Sequence, residues 1–305
     1  MKKKILILGA SGFIGGRLVQ ECIKKKWKVY YGAKNKKNFK KHDNLIFCKI
    51  DLLKHNFNSI KKIKVDYVIF AAGYVNHSLL LDKKKEILNE HFFSLIKIID
   101  ILKNSNIKKF IYLGSADEYG NQKSPLKEDL LEFSQTSYTL AKTLASKYLL
   151  AMNKMYNFPS VILRVFLVYG PFQKKRFIPN VILNCLRNKK FLLTSCLQKK
   201  DFLFIDDFIE AIFLTLKSNK TSGEVINIAY GKSFSLKKIV IFIKKKLRGG
   251  KPIFGARKIE KRENLDQFAC IIKAKKLINW YPKTNLHKGL NATINSYKYG
   301  KESFS

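Results

Sequence analysis

The opening of the chain, KKKILILGASGFIGGRLVQECIKKKW, constrains the fold more than any other stretch. A short apolar run from Ile5 to Leu8 is followed at once by glycines and then by a segment with helical spacing, whose apolar side carries Phe13, Ile14, Leu18 and Cys22. A brief apolar run bounded by glycine is typical of a buried strand, and the periodic segment after it is typical of an amphipathic helix. The sequence therefore predicts a strand that turns sharply into a helix.

The turn between them carries three glycines with the spacing G-x-x-G-x-x-G. Such a turn directs free backbone N–H groups and the positive end of the helix dipole at one point, which suits a pyrophosphate. Tight turns need glycine in any case, and the commoner dinucleotide fingerprint is G-x-G-x-x-G. Its position directly after the first strand favours a cofactor turn formed by Gly9, Ser11, Gly12, Phe13, Ile14 and Gly15.

The second strand, WKVYYG, predicts which dinucleotide binds. Folds that bind NAD place an Asp or Glu at this strand end to hold the ribose 2′-hydroxyl. Here the chain continues with Ala33 and Lys34 and has no acid, while Lys34 and its neighbours could meet a 2′-phosphate. Lysine is abundant throughout, so the missing acid is the stronger argument. We expect NADP, with NAD as the alternative.

Further strands alternate with helices: NLIFCKIDLL, VDYVIFAAGYV, a helix over 84–103, and KKFIYLGS. Asp51 and Leu52 are placed for the adenine, and Ala71, Ala72 and Gly73 would let a cofactor approach the sheet. A capping Asp and a strand-end glycine explain these residues equally well. The alternation itself predicts a Rossmann-like α/β fold, a doubly wound parallel sheet.

The charge is strongly basic, with 60 Lys and Arg against 22 Asp and Glu, a net charge of +38 and a pI of about 10.0. Only seven of these cations are arginine, and the lysines are scattered. No segment resembles a recognition helix, a zinc finger or an aromatic RNA-binding stripe. The composition therefore favours no specific nucleic-acid partner, although weak attraction to polyanions is expected.

Five cysteines lie far apart without a CxxC or a Cys/His cluster, which predicts free thiols, a cytoplasmic protein and no metal site. The three N-terminal lysines imitate a signal peptide, but the unbroken apolar run is only Ile5 to Leu8. No stretch approaches the roughly 18 to 20 apolar residues that span a membrane. We therefore expect no membrane segment.

The run SYTLAKTLASKYLLAMNKMY has helical spacing and places Tyr138 and Lys142 on one face, one turn apart. Taken alone, a phenol and an ammonium at this spacing are a common surface pair.

The motifs together resemble the extended short-chain dehydrogenase/reductase family, in the NAD-dependent epimerase/dehydratase group that acts on nucleotide-diphosphate sugars. The resemblance covers nearly the whole chain and rests on GASGFIGG, AAG, Asn89, GSADEYG, SYTLAK, LRVFLVYGP, KKDFLFIDDFIEAI and KKLINWYPKTNLHKGL. Together with these motifs, the pair of Tyr138 and Lys142 indicates a catalytic role.

The resemblance implies an NAD(P)-dependent enzyme in which Tyr138 is the general acid/base. Lys142 would lower the pKa of the phenol, about 10 when free, and hold the nicotinamide ribose. Ser115 would orient the same substrate oxygen, and Asn89 completes the catalytic set.

The same motif separates the branches of the family. Dehydratases follow the catalytic Ser or Thr with a pair of acids, but here Ala116 takes the acid position and Asp117 the base position. Dehydration is therefore disfavoured. Leu167 stands where many members of the family have an Asn that contacts the substrate diphosphate, so the substrate cannot be assigned by analogy with them alone. We expect reduction of a nucleotide-linked 4-keto-6-deoxy sugar, with a nucleotide-sugar 4-epimerase that retains NAD as the alternative and a noncatalytic RNA-binding relative as a distant one.

The resemblance also predicts the domain organisation. A Rossmann domain covers 1–170, with 200–230 returning to the sheet, and a smaller C-terminal substrate-binding lobe covers 171–199 and 231–305. Substrate contacts are expected from Ser115, Ala116 and Asp117, and at the diphosphate from Arg176 and Arg262. Asp206 and Asp207 should orient an interdomain loop. A homodimer is expected through the helices of Asn89 and Tyr138, with the cluster His91 to Phe93 at the contact.

Overall fold

The structure is a computed structural model and describes residues 2–37, 39–73, 84–259 and 263–300. The strands are β1 (Lys4–Leu8), β2 (Lys28–Ala33), β3 (Leu45–Lys49), β4 (Tyr67–Phe70), β5 (Lys109–Ser115), β6 (Ser160–Val165), β7 (Leu167–Tyr169), β8 (Lys190–Leu192), β9 (Lys199–Lys200), β10 (Phe202–Phe204), β11 (Val225–Ile228), β12 (Phe234–Ser235), β13 (Lys251–Ile253) and β14 (Asp266–Gln267).

The helices are α1 (Phe13–Lys24), α2 (Lys84–Leu88), α3 (Ser94–Leu102), α4 (Ser137–Tyr156), α5 (Phe177–Leu186), α6 (Ile205–Lys217), α7 (Leu236–Leu247), α8 (Ile272–Ile278) and α9 (Leu286–Tyr299). Two short 3-10 turns occur at Asn58–Ile60 and Ala116–Tyr119. The predicted helix over 84–103 is present, but a π-helical turn at Asn89–Phe93 joins α2 to α3.

Seven strands form one parallel sheet in the order β11-β6-β5-β4-β1-β2-β3. The chain winds outward from β1 through β2 and β3, then returns to the other side of β1 with β4. In such sheets, ligands bind in the crevice outside the carboxyl ends of the strands at the point where the direction reverses. The crevice here lies between the ends of β1 and β4, and the predicted Rossmann-like fold is confirmed.

Two hydrophobic cores cover the faces of the sheet, and β1 shows why both form. Its side chains alternate, because successive residues of a strand point to opposite faces. Ile5 and Ile7 pack into the core shared with α1, α5, α6 and α7, whereas Leu6 and Leu8 pack into the core shared with α3 and α4. All four side chains are buried, so a continuous apolar run is what this central strand requires.

Segments after β7 form a smaller layered unit beside the carboxyl ends of the strands. It contains the parallel pair β8 and β13, the three short strands β12-β9-β14, and the packed helices α5 and α7. Its apolar side chains belong to the same core as α1 and α6. The five cysteines are free thiols. Within the described ranges, no helix is long and apolar enough to cross a bilayer.

Candidate active site

The turn after β1 brings three chain segments into close contact. Gly9 has φ +82°, and a Cβ there would lie 2.6 Å from Ala72 Cα, at the end of β4. A Cβ at Gly15 would lie 2.2 Å from the Gly9 carbonyl oxygen. Gly12 stands at the N-cap of α1 without a side-chain cap, and the first turn of the helix carries no acid. The free N–H groups and the helix dipole therefore face an open cradle suited to a dinucleotide pyrophosphate.

The end of β2 is lined with lysine, as expected, but its side chains are already engaged. Lys34 Nζ lies 3.5 Å from a carboxylate oxygen of Asp51. Lys37 Nζ donates to the Ser11 carbonyl oxygen at 3.3 Å. Asp51 also accepts hydrogen bonds from the backbone N–H groups of Leu53 and Lys54, which lower its pKa together with the charge of Lys34 against the effect of burial. Asp51 thus caps the turn after β3.

Helix α4 carries the Tyr and Lys pair and coincides with the predicted run. Thr136 caps its N-terminus, because the side chains of Thr136 and Thr139 each bond to the backbone N–H of the other. Asn157 ends the helix in the left-handed conformation. Tyr138 and Lys142, each 5% exposed, point from this helix toward the end of β5, where Ser115 is 8% exposed.

Direct contacts join these three residues to the sheet. The Ser115 hydroxyl hydrogen-bonds to the Tyr138 phenol. Lys142 Nζ donates to the Leu113 carbonyl oxygen at 2.8 Å and lies 5.9 Å from the centre of the Tyr138 ring. His91, which is 1% exposed, meets the Tyr138 ring edge to face with centroids 5.2 Å apart. The serine, phenol and ammonium form one cluster.

The electrostatics of this cluster bear on one expectation. Burial raises the pKa of Tyr138 above its ordinary value, the charge of Asp117 raises it further, and the Ser115 hydrogen bond opposes both. Burial lowers the pKa of Lys142 to about 8, against the opposing charge of Glu118. Burial therefore dominates the pKa of the phenol in this arrangement, and the lowering contribution expected from Lys142 stays a prediction.

A buried ionic network around Glu118 contacts the cluster of Ser115, Tyr138 and Lys142 through the backbone of Ser115. Glu118 is fully buried and accepts hydrogen bonds from the Ser115 backbone N–H at 2.7 Å and the Ser146 hydroxyl at 2.9 Å. Arg164 is also fully buried and pairs with Glu118 at 3.3 Å and with Glu132. Glu118 was not among the predicted site residues, although it follows Asp117 directly in the motif GSADEYG.

The cluster opens into a cleft of about 970 Å³ between the sheet and the smaller layered unit. A cleft of this size can enclose a cofactor and a small substrate. The predicted residues on its lining are Gly12, Phe13, Ile14, Gly15, Ala71, Ala72, Gly73, Ser115, Ala116, Asp117, Tyr138, Lys142 and Arg176. The lining also contains cations that sequence patterns did not single out: Lys174, Lys200, Arg257 and Lys258.

Other predicted residues lie away from this lining. The turns after β1, β2 and β3 hold predicted residues that are not on the cleft lining: Gly9, Ser11, Lys34, Asp51 and Leu52. Asn89 starts the π-helical turn, and its backbone oxygen accepts from His55 Nε2 at 3.2 Å. Arg262 lies outside the described residues.

Two further expectations concern structure rather than chemistry. Asp207 accepts hydrogen bonds from the backbone N–H groups of Lys283 and Thr284, which ties α6 to the segment before α9. Asp206 pairs with Arg17 of α1 at 2.8 Å. Both acids act structurally. The aromatic cluster proposed for a dimer contact is mostly internal, because His91 packs on Tyr138 and Phe92 on Tyr148, while Phe93 is exposed.

The fold is of the Rossmann-like α/β class, and it brings the glycine turn and the side chains of Ser115, Tyr138 and Lys142 to one cleft. The family model for the NAD dependent epimerase/dehydratase family matches residues 5–229. The chain therefore belongs to this family, and the predicted membership is confirmed.

Named relatives resemble the chain over nearly its whole length. A UDP-glucuronate 4-epimerase of Thermodesulfobacterium geofontis is 26% identical, with 95% of this chain and 94% of the relative covered. An uncharacterized UDP-glucose epimerase of Bacillus subtilis is 27% identical, with 95% and 96% covered. The crystal structure of a UDP-glucuronic acid 4-epimerase from Bacillus cereus, in complex with UDP-glucuronic acid and NAD, is 25% identical with a TM-score of 0.87, and 97% of this chain and 99% of that one are covered.

Proposed function

We propose that the protein is a 4-epimerase of a UDP-linked hexose that keeps its nicotinamide dinucleotide bound between turnovers. The observation that carries the proposal is the Ser115, Tyr138 and Lys142 cluster, which faces one cleft shared with the glycine cradle. The alternative reaction of dehydration is disfavoured because Ala116 provides no acid beside Asp117. The 4-epimerase relatives support this choice over the reductase that the motif GSADEYG favoured.

The residues present fit the dinucleotide. Gly9 and Gly15 let the turn pack closely against neighbouring backbone, and Gly12, Gly15 and Gly73 lie on the cleft lining. Lys142 would hold the nicotinamide ribose. A bound nicotinamide supplies the hydride acceptor and donor for the sugar carbon.

The chain's own residues handle the proton. The phenolic oxygen of Tyr138 would take the hydroxyl proton from the sugar as that carbon is oxidised, and return it to the ketone when the opposite face is reduced. The Ser115 hydroxyl would hold the same sugar oxygen at the end of β5. The first step needs the phenolate form of Tyr138, and the proton that it takes up on oxidation is the one that it returns on reduction.

A purified sample tests the proposal without added cofactor. Epimerisation is neutral in redox balance, so UDP-glucose should yield UDP-galactose with no NAD(P)H supplied, and denaturation of the protein should release bound dinucleotide. Absence of both the product and the bound dinucleotide would contradict the epimerase.

An NADPH-dependent reductase of a 4-keto-6-deoxy sugar is the second candidate. It is favoured by the end of β2, where Ala33 and Lys34 replace the acid expected for NAD and Lys37 lies over the glycine turn. A reductase would consume one NADPH for each 4-keto sugar and would release its cofactor. Binding of NAD and NADP to cofactor-free protein distinguishes the two, because a reductase should prefer NADP by about tenfold or more.

A homodimer stays a prediction, as does a role for Arg176 at the substrate diphosphate. The position of Arg176 on the cleft lining supports the latter.

A further inference from the structure

Three carboxylates stand on the described lining of the cleft, and they differ in what they bind. Asp201 is 1% exposed and accepts from the backbone N–H groups of Tyr230, Gly231 and Ala269. Glu263 accepts from Gln198 Nε2 at 3.0 Å and lies 3.7 Å from Lys200 Nζ. These two acids hold the walls of the cleft together.

Asp117 differs from both. Its backbone N–H bonds to the Ser115 hydroxyl at 3.2 Å, and its backbone oxygen accepts from Gly120. Across the part of the chain that the structure describes, no hydrogen bond or ion pair engages its carboxylate. The neighbouring Glu118 is buried and accepts hydrogen bonds from three donors. Asp117, by contrast, lies on the cleft lining.

The position of Asp117 is at the reacting end of the cleft. Its charge adds to the burial that raises the pKa of Tyr138 and opposes the burial that lowers the pKa of Lys200. Asp117 also belongs to the 3-10 turn that follows Ser115 directly. A sugar whose hydroxyl meets Tyr138 and Ser115 would therefore present another substituent to Asp117.

The cations of the cleft lie on other elements. Arg176 precedes α5, and Arg257 and Lys258 follow β13 in the smaller layered unit. Phosphate oxygens suit these side chains, because guanidinium and ammonium groups bond strongly to phosphate. The described lining of the cleft thus holds cations that suit a diphosphate and one carboxylate, that of Asp117, that no hydrogen bond or ion pair engages. Two of the cations act electrostatically at the catalytic end, Arg176 on Tyr138 and Lys200 with Asp117.

We infer that Asp117 determines the sugar specificity: it accepts a hydroxyl hydrogen bond from an uncharged hexose and excludes a uronate. The inference rests on the proposed function and deepens it. A carboxylate accepts hydrogen bonds but donates none when ionised, so a neutral hydroxyl is its partner. A second carboxylate beside it in the cleft would repel it, and such like-charge contacts determine specificity by rejecting the wrong ligand.

The matched probes are UDP-glucose and UDP-glucuronate, which differ only at C6. This carbon is a hydroxymethyl group in UDP-glucose and a carboxylate in UDP-glucuronate. Titration calorimetry on the NAD-loaded protein measures both, with UDP alone as the reference for the nucleotide. We expect wild type to bind UDP-glucose on the order of 100-fold more tightly than UDP-glucuronate, since a like-charge contact disfavours the uronate. Asp117→Asn should narrow this ratio to about tenfold or less while UDP affinity is unchanged.

The control variant is Asp129→Asn, which makes the same chemical change at an exposed residue off the cleft lining. It should keep the wild-type ratio. A ratio that Asp117→Asn leaves unchanged, with UDP still bound, overturns the inference alone. If the wild type prefers UDP-glucuronate, the inference also falls while the epimerase stands. If neither sugar nucleotide nor UDP binds, the proposed function and this inference fall together.

Unchanged melting temperature and UDP affinity in Asp117→Asn would show that any altered ratio comes from the sugar end of the cleft. As the second variant, Asp117→Ser keeps a hydroxyl and removes the charge. It should narrow the ratio as Asp117→Asn does, and a wild-type ratio in both variants would rule out the charge as the cause.

Discussion

Glu118 Oε1 accepts a hydrogen bond from the backbone N–H of Ser115 at 2.7 Å. Its other carboxylate oxygen accepts from Arg164 Nε at 3.3 Å and from the Ser146 hydroxyl of α4. One buried carboxylate therefore joins the end of β5, the strand β6 and the helix that carries Tyr138. Because all its partners are buried, the geometry of Ser115 relative to Tyr138 depends on this ionic contact as well as on packing.

Glu118→Gln should weaken the fold and move the pH dependence. The carboxamide oxygen can still accept from Ser115, but Arg164 loses one of its two carboxylates, so we expect a stability loss of about 3 kcal/mol in urea unfolding. The charge of Glu118 raises the pKa of Lys142, whose value is about 8. Removing that charge should move the alkaline limb of the pH–rate profile below its wild-type position.

Glu224→Gln is the matched control, because Glu224 forms a partly exposed pair with Lys273 at 2.7 Å. Exposed pairs contribute about 0 to 1 kcal/mol, so this variant should keep both the stability and the profile. An unmoved alkaline limb in Glu118→Gln would show that the carboxylate has no electrostatic role at the site.

Lys142→Met should stabilise the cofactor-free protein near pH 7. The ammonium pKa is lowered by burial to about 8 from 10.5, so between these values the folded state has released a proton that the unfolded chain keeps. The free energy of unfolding of wild type therefore rises as pH increases from about 8 to 10.5. Below this range the ammonium is charged in both states, and the full cost of burying its charge applies.

The cost of burying the Lys142 charge is about 3 kcal/mol, and Lys142→Met removes it. The same change loses the hydrogen bond to Leu113, worth about 1 kcal/mol, so the free energy of unfolding should rise by about 2 kcal/mol at pH 7. By pH 10 the gain should have largely disappeared. Urea unfolding at both pH values measures it. Lys154→Met, at an exposed position of the same helix, should stay within about 0.5 kcal/mol of wild type at both. If the free energies of unfolding of Lys142→Met and wild type differed by the same amount at both pH values, the lowered pKa of Lys142 would be contradicted.

Gly15→Ala should damage the cradle, whereas Gly16→Ala should not. An added Cβ at Gly15 meets the Gly9 carbonyl oxygen at 2.2 Å, and that backbone is fixed between β1 and β4. We expect a loss of about 1 to 3 kcal/mol in stability and a clearly weakened dinucleotide affinity. At Gly16 the added Cβ lies 3.0 Å from the end of the Lys37 side chain, which can move, and 3.6 Å from the Ala10 carbonyl oxygen, an ordinary contact.

Thermal unfolding and NAD titration compare the two variants. Alanine is about 1 kcal/mol better than glycine in a helix interior, so Gly16→Ala should equal or exceed wild type in melting temperature. Similar losses in both variants would contradict the geometry of the cradle.

Local patterns predicted the parts of the site that depend on backbone geometry. The glycines, the apolar alternation of β1 and the bounds of α4 each follow from residues close in sequence, so the fold and the Tyr138 and Lys142 face were predictable. The contact of Gly9 with Ala72 depends on the order of the strands, which the βα alternation alone does not specify.

Long-range contacts were not predictable in the same way. Glu118 reaches Arg164 from 46 positions away, and Arg257 and Lys258 reach the cleft only because β13 pairs with β8. No local period marks such residues. The pKa of Tyr138 was expected to fall because sequence spacing shows a neighbouring ammonium but not the degree of burial, and burial dominates.

Tyr138→Phe tests the catalytic assignment most directly. It keeps the ring, which packs against His91, and removes the oxygen that hydrogen-bonds to Ser115. Folding and dinucleotide binding should survive, while turnover of the UDP-sugar should fall by about 10² to 10⁴, the contribution of a general acid/base. Tyr156→Phe makes the same change at an exposed residue of α4 and should keep wild-type turnover. Full turnover by Tyr138→Phe would mean that the phenol only packs, and the catalytic role would pass to another group of the cluster.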